Sequence, residues 1–174
     1  MKNMLRLALI VGMICAASAA LAQQDFSYTY EDGTPIFFVT LPDNWEGEWQ
    51  EKDNISILHA VPKDGSDVYL SIWAVYDVDD LKMAGDAVDL MFAEFVTDVN
   101  FEDWEEMTIN GIPFTFSESA AKMKDSGTDA IASAAFFSPE EGEVYILMCL
   151  GTTAAYESQS ETVVEIIQSI RREE

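Results

Sequence analysis

Histidine, cysteine and basic side chains are scarce in this sequence. Its 174 residues include one histidine, two cysteines and nine lysines and arginines, against 32 aspartates and glutamates. A catalytic triad or a transition-metal site would have to rely on His59, because the chain has no second imidazole. The sequence also lacks G-x-S-x-G, G-x-G-x-x-G and G-K-[ST] motifs, which argues against a serine nucleophile elbow and against phosphate-binding loops.

The shortage of basic residues gives the chain a formal net charge of −23. A field of this sign repels phosphate backbones and anionic lipids, so we expect neither nucleic acid nor a membrane surface as a partner. Cations and basic protein surfaces are better matched to it. The same acidic side chains can also simply solvate the surface, or adapt the protein to high salt, and neither role requires a partner.

The N-terminus has the pattern of a secretory signal peptide. Lys2 and Arg6 precede an apolar run from residue 7 to residue 15, and Ala20-Leu21-Ala22 fits the A-x-A cleavage pattern. The run is shorter than the ~20 residues that a membrane-spanning helix needs. We therefore predict cleavage of residues 1–22, a single domain over residues 23–174, and a periplasmic or secreted protein with no stable membrane insertion.

The two cysteines cannot form a disulfide in the mature chain. Cys15 leaves with the signal peptide, and Met13-Ile14 before it does not fit a lipid-attachment box. Cys149 is then alone, and its place in the apolar segment VYILMCL predicts a buried, unreactive thiol.

Hydrophobic periodicity predicts an α+β domain. An amphipathic helix of about 18 residues is expected from Leu81 to Val99, because apolar side chains recur at three- and four-residue steps. A second helix is expected over residues 153–171. Asn110-Gly111 predicts a tight hairpin, and residues 143–150 read as a central strand that is apolar on both faces. The remaining strands are predicted at 25–30, 36–41, 55–61, 67–76, 103–109, 112–122 and 129–138. We expect an antiparallel sheet of six to eight strands with helices packed on its faces.

The stretch FFVTLPDNWEGEW, Phe37 to Trp49, carries two tryptophans among acidic residues. Pro42 ends the preceding strand. Trp45 follows the corner and either packs this turn onto the core or lines a site. Trp49 lies between Glu48 and Glu51 and is the better candidate for an exposed contact.

Asp77, Asp79 and Asp80 form the one cluster that suggests a hard cation, since calcium takes oxygen ligands. The EF-hand pattern fails here, because Lys82 stands where glycine is needed and Val88 where glutamate is needed. Acids at the start of a helix are also favoured by its dipole, which is the simpler explanation. We predict no cofactor, with calcium as the open alternative.

The order of these elements resembles the PsbP-like α/β/α sandwich, a group that includes the extrinsic photosystem II protein and the envelope protein DcrB. The resemblance rests on Leu41-Pro42-x-x-Trp45, Asn110-Gly111, the aromatic last strand with Tyr145, and the closing segment Ile166 to Arg171. It implies a binding or assembly accessory rather than an enzyme, with no shared catalytic residue.

We therefore expect an exported, non-enzymatic accessory protein of the cell envelope. It would engage a protein or a small ligand through loops at one end of the sheet, with Trp45, Trp49 and the turn of Asp77, Asp79 and Asp80 as candidate contacts. One alternative is an acidic protein that binds divalent cations or is adapted to salt. The last alternative is a hydrolase with an unrecognised pair of carboxylates, since acids are abundant and no spacing selects a pair.

Overall fold

The computed structural model describes residues 23–52, 55–75, 81–140 and 142–173. The predicted signal peptide and the three aspartates Asp77, Asp79 and Asp80 lie outside these ranges. The described elements are, in chain order, β1 (Gln24–Thr29), β2 (Pro35–Leu41), β3 (Trp45–Lys52), β4 (Ile55–Pro62), β5 (Val68–Val75), α1 (Leu81–Phe92), β6 (Val96–Thr97), β7 (Glu105–Ile109), β8 (Ile112–Met123), β9 (Asp129–Phe137), β10 (Val144–Thr152) and α2 (Thr153–Gln168).

Eight of the strands form one antiparallel sheet in the order β3-β4-β5-β10-β9-β8-β6, with β7 also paired to β8. β10 occupies the middle, and its residues Tyr145 to Leu150 are buried. The prediction of a central strand covered on both faces is therefore confirmed, as is the α+β antiparallel fold class. β1 and β2 form a separate two-stranded ribbon.

Different elements cover the two faces of the sheet. The ribbon and α2 cover the first face, where Phe37, Val39 and Ile166 pack against strand residues such as Tyr145. α1 covers part of the second face, where Val88 and Phe92 pack on the central strands. The chain beyond α2 returns to the ribbon, since the backbone of Arg171 exchanges two hydrogen bonds with that of Phe38 at 2.8 and 3.0 Å. No helix in the described ranges is long and apolar enough to cross a membrane.

The structure corrects the sequence prediction for residues 45–52, which form strand β3 instead of a loop. The Glu-rich, Gly-containing segment WEGEWQEK has little of the β-branched composition typical of strands. The sequence feature that indicates a strand is the two-residue spacing of Trp45, Gly47 and Trp49, which places these three residues on one face. Such a polar strand is stable here because it lies at the edge of the sheet.

The helix predicted from Leu81 to Val99 is shorter in the structure. α1 ends at Phe92, and Val96–Thr97 pairs with β8 as strand β6. Phe95 extended the apolar period in the sequence, but its side chain is half exposed in the turn after α1. The β-branched pair Val96–Thr97 favours strand pairing over further helix.

The hairpin predicted at Asn110-Gly111 is confirmed. Both residues have positive φ, 49° and 75°, as a type I′ turn requires. The Asn110 side-chain amide also donates hydrogen bonds of 2.8 Å to the carbonyls of Gln168 and Ile170. This turn is therefore tied to the end of α2.

Candidate ligand- and partner-binding surface

Trp45 lies inside the core. It opens β3 opposite Pro62, and its side chain is fully buried, with 0% exposed. Its indole nitrogen finds no hydrogen-bond partner among the described residues. An indole without exposed surface cannot contact an external partner, so Trp45 is a core residue in the same hydrophobic cluster as Leu41.

Trp49 lies on the same face of β3 but near the other end of the strand, and 41% of its side chain is exposed. The Tyr28 ring meets it edge-to-face, with centroids 4.6 Å apart, and the Phe26 ring does so at 6.2 Å. The indole is thus held by aromatic contacts from β1 while much of it stays accessible to solvent.

A recess of about 220 Å³ opens beside Trp49, and we call it the Trp49 recess. Its aromatic part is Tyr28, Trp49 and Tyr145, its hydroxyl groups come from Ser27, Thr29 and Ser56, and its one carboxylate is Glu51. These residues come from β1, β3, β4 and β10. An apolar wall with a few polar groups at its rim is the usual composition of a ligand site.

Hydrogen bonds hold two of the side chains that line the Trp49 recess in place. The buried Tyr28 hydroxyl donates to the carbonyl of Ile72 and accepts a 3.1 Å hydrogen bond from the Leu58 amide. Ser56 donates a 2.6 Å hydrogen bond to a Glu51 carboxylate oxygen. Side chains held in this way lose little freedom when a ligand binds.

The recess lies at the sheet end where the β3–β4 connection joins Lys52 to Ile55. Strand β5 leaves the sheet at the same end, since Trp73 pairs with Ile57 and β5 stops at Val75. Trp45, paired with Pro62, marks the opposite end. Asp77, Asp79 and Asp80 follow β5 in sequence but lie outside the described residues.

The opposite face of β3 carries a second, polar hollow of about 530 Å³, which we call the His59 hollow. Its side chains include Glu46, Glu48, Gln50, His59 and Tyr69. The sequence analysis did not predict this hollow. Glu46, Glu48 and Gln50 share one face only if residues 45–52 form a strand, and no strand was predicted there.

His59 has a hydrogen-bond partner on the neighbouring strand. Its Nδ1 is hydrogen-bonded to the Tyr69 hydroxyl, and it lies opposite Glu48 in the β3–β4 register. Burial lowers the pKa of His59 from its ordinary value, while the nearby Glu48 carboxylate opposes that shift. The ring is therefore a neutral hydrogen-bonding group near neutral pH.

Cys149 and the acidic side chains are the other groups in the described part of the chain that could carry chemistry. The Cys149 thiol is fully buried, as predicted, and burial raises its pKa to about 12. No group of three or more His, Cys, Asp or Glu side chains that could hold a metal ion occurs in the described ranges. The calcium hypothesis rests on Asp77, Asp79 and Asp80, outside those ranges, and it stays a prediction.

Comparison with known proteins gives structural rather than sequence similarity. No protein-family model matches the sequence, and no curated protein matches it significantly. The solution structure of cyanobacterial PsbP (CyanoP) from Synechocystis sp. PCC 6803 is similar, with a TM-score of 0.59 and 12% identity over 94% of this chain and 99% of that chain. A crystal structure from Bacteroides thetaiotaomicron VPI-5482 gives a TM-score of 0.52 and 12% identity over 86% of this chain and 48% of that chain.

A third solved structure is LpqN, involved in cell envelope biogenesis of Mycobacterium tuberculosis. It gives a TM-score of 0.45 and 15% identity over 86% of this chain and 91% of that chain, which is too low to infer a shared fold. The similarity to CyanoP extends over nearly the whole of both chains. The chain therefore has the PsbP-like fold expected from its sequence, while the DcrB part of that resemblance stays a prediction.

Proposed function

We propose that this chain is an exported, non-enzymatic accessory protein of the cell envelope that binds a protein or a small ligand at the Trp49 recess. The observation that carries the proposal is Trp49 itself, an indole that is 41% exposed yet held by Tyr28 and Phe26. Large, rigid aromatic side chains of this kind supply much of the binding energy at protein interfaces.

The export part of the proposal is supported by the N-terminal pattern, which predicts a periplasmic or secreted location. The non-enzymatic part is supported by the state of the nucleophiles and bases. His59 is hydrogen-bonded to Tyr69 rather than to a serine or cysteine, and Cys149 is a buried thiol whose raised pKa keeps it protonated.

The experiment is cross-linked affinity capture from the native envelope extract at physiological salt, with the captured species identified by mass spectrometry. The bait is the exported protein, beginning at Gln23. We expect one abundant partner that is lost with Trp49→Ala. The matched control is Phe95→Ala, which removes another exposed aromatic side chain, 51% exposed, beside the β8–β9 turn at the opposite sheet end.

Two results would overturn the proposal. One is capture that is equal for the wild type and Trp49→Ala. The other is hydrolytic turnover by the purified protein that a single substitution abolishes, since an accessory protein has no such activity.

The charge of −23 favours a second candidate, in which the acidic chain binds divalent cations or is adapted to salt without a dedicated partner. Calcium should then raise the melting temperature of the wild type and not that of Asp79→Ala. If monovalent salt raises both melting temperatures equally, screening of the negative charge is the explanation and the specific ion site is wrong.

A further inference from the structure

Strand β3 is an open edge of the eight-stranded sheet. Among the described strands it pairs only with β4, over eight residues from Trp45 to Lys52. Five of the six residues from Glu46 to Glu51 are exposed, as expected for a free edge, and only Gly47 is half-buried. The outer N–H and C=O groups of such a strand can pair with another extended chain.

The charges on β3 select what can pair with it. Glu46 and Glu48 lie on one face of the strand and Glu51 on the other, so both sides of the edge are negative. The strand carries three glutamates and one lysine, so a second copy adds net negative charge to an edge that is already negative. A strand with lysine or arginine side chains would instead find a carboxylate on each side.

Both faces of β3 also have room for such side chains. The Trp49 recess, about 220 Å³, lies on the face of Glu51, and the His59 hollow, about 530 Å³, lies on the face of Glu48. Side chains of an added strand point alternately to the two faces. A cation on the first face can contact the exposed indole of Trp49, and one on the second can reach Glu46 and Glu48.

We propose that β3 binds an extended, basic segment of a partner protein by strand addition, with lysine or arginine side chains next to Trp49 on one face and next to Glu48 on the other. This inference rests on the proposed function and names the kind of partner that the Trp49 surface receives. Main-chain hydrogen bonds to β3 supply the pairing, and the flanking carboxylates supply the preference for positive charge.

The test uses eight-residue peptides of the sequence KKTTKKTT, whose lysines point to both faces of an added strand, with the exported protein as receptor at physiological salt. One peptide is unmodified, one is N-methylated at alternate residues so that one edge stays free, and one is N-methylated throughout. All three carry the same charge and the same side chains. We expect the first two to bind and the third to lose at least about tenfold in affinity, because its backbone can no longer donate to β3.

Substitutions of glutamates on two different strands test whether the peptide binds at β3. Glu46→Gln with Glu48→Gln should weaken binding of the unmodified peptide, while Glu105→Gln with Glu106→Gln should not, because the latter pair removes two carboxylates from β7 at the other side of the sheet. Amide hydrogen exchange provides a direct readout, since strand addition should slow exchange along β3 from Glu46 to Glu51.

Equal binding of the unmodified and fully methylated peptides would overturn the proposal in favour of charge attraction alone. So would a loss of binding in the β7 double variant with none in the β3 double variant. If no peptide binds while capture of a partner still depends on Trp49, strand addition is wrong and the proposed function stands. If that capture also fails, the proposed function falls as well.

Discussion

The Trp49 indole and the Tyr28 ring meet edge-to-face, with centroids 4.6 Å apart and planes 78° apart. Tyr28 is buried, and its hydroxyl is fixed by the backbone of two sheet strands, so it can hold Trp49 in place without covering it. An exposed aromatic side chain that is already ordered before binding avoids part of the entropy cost of association.

The two tryptophans of β3 should differ in their effect on stability. Trp45→Ala should lower the free energy of unfolding by about 3–5 kcal/mol, because it empties a fully buried site. Trp49→Ala should lower it by about 1–2 kcal/mol, the loss expected for two aromatic contacts on a part-exposed side chain. Urea denaturation measures both values, and equal losses would contradict the assignment of Trp45 to the core and Trp49 to the surface.

Gly47 is required where the ribbon crosses β3. A Cβ at this position would lie 2.6 Å from Leu41 Cδ1 and 2.7 Å from Phe26 Cζ. Gly47→Ala should therefore destabilise the protein by about 1–3 kcal/mol through overpacking. The control is Gly85→Ala in α1, where a Cβ meets nothing within 4 Å and the gain in helix propensity should stabilise by about 0.5–1 kcal/mol. If both variants unfold at the same urea concentration, the close approach of ribbon and sheet is wrong.

Glu118 should make the free energy of unfolding depend on pH, and the direction follows from its pKa shift. Burial raises the pKa of Glu118, while the 3.1 Å hydrogen bond from Tyr156 opposes that shift. A carboxyl group with a raised pKa binds its proton more tightly in the folded state, so stability falls as the pH rises from 4.5 through the folded pKa. Glu118→Gln should remove this component.

The measurement for Glu118 is the difference in melting temperature between the wild type and Glu118→Gln across the acid range. As the pH rises, the melting temperature of Glu118→Gln should increase relative to that of the wild type. Glu161→Gln, on the exposed face of α2, is the matched control for the removal of one carboxylate. A difference for Glu118 that does not vary with pH would show that its carboxyl group titrates as in the unfolded chain.

His59 should titrate below the ordinary histidine value of 6.5, because burial penalises the imidazolium. The folded state then binds fewer protons than the unfolded state, and stability is lost as the pH falls below 6.5. NMR titration of this single histidine measures its pKa directly. Tyr69→Phe removes the hydrogen bond to Nδ1 and serves as the companion variant. A wild-type pKa above 6.5 would mean that the Glu48 carboxylate outweighs burial.

Local sequence patterns were sufficient to predict several of the secondary-structure elements. Asn110-Gly111 predicted its hairpin because few residue pairs tolerate two positive φ values, and the apolar run around Cys149 predicted a strand buried on both faces. The end of α1 was not predictable from periodicity, since Phe95 and Val99 continue the helical spacing beyond the point where Val96 turns to pair with β8.

The candidate site was only half visible in the sequence. Trp49 was identified from its acidic neighbours, but the recess beside it joins β1, β3, β4 and β10, which come together only through tertiary packing. No local pattern in the sequence therefore connects Ser27 or Tyr145 to Trp49. Trp45 shares the motif and the strand face of Trp49, and only their different positions along β3 separate the buried indole from the exposed one.

Site-specific photo-crosslinking tests the central claim most directly. A benzophenone amino acid is placed at position 29, where the exposed Thr29 lines the Trp49 recess, and in a parallel protein at position 95, and each protein is irradiated in the native envelope extract. Trp49 itself is kept in both proteins. We predict a discrete adduct from position 29 that is absent from position 95 and is reduced by excess KKTTKKTT peptide. No adduct at position 29, or the same adducts from both positions, would contradict the assignment of the Trp49 recess as the binding surface.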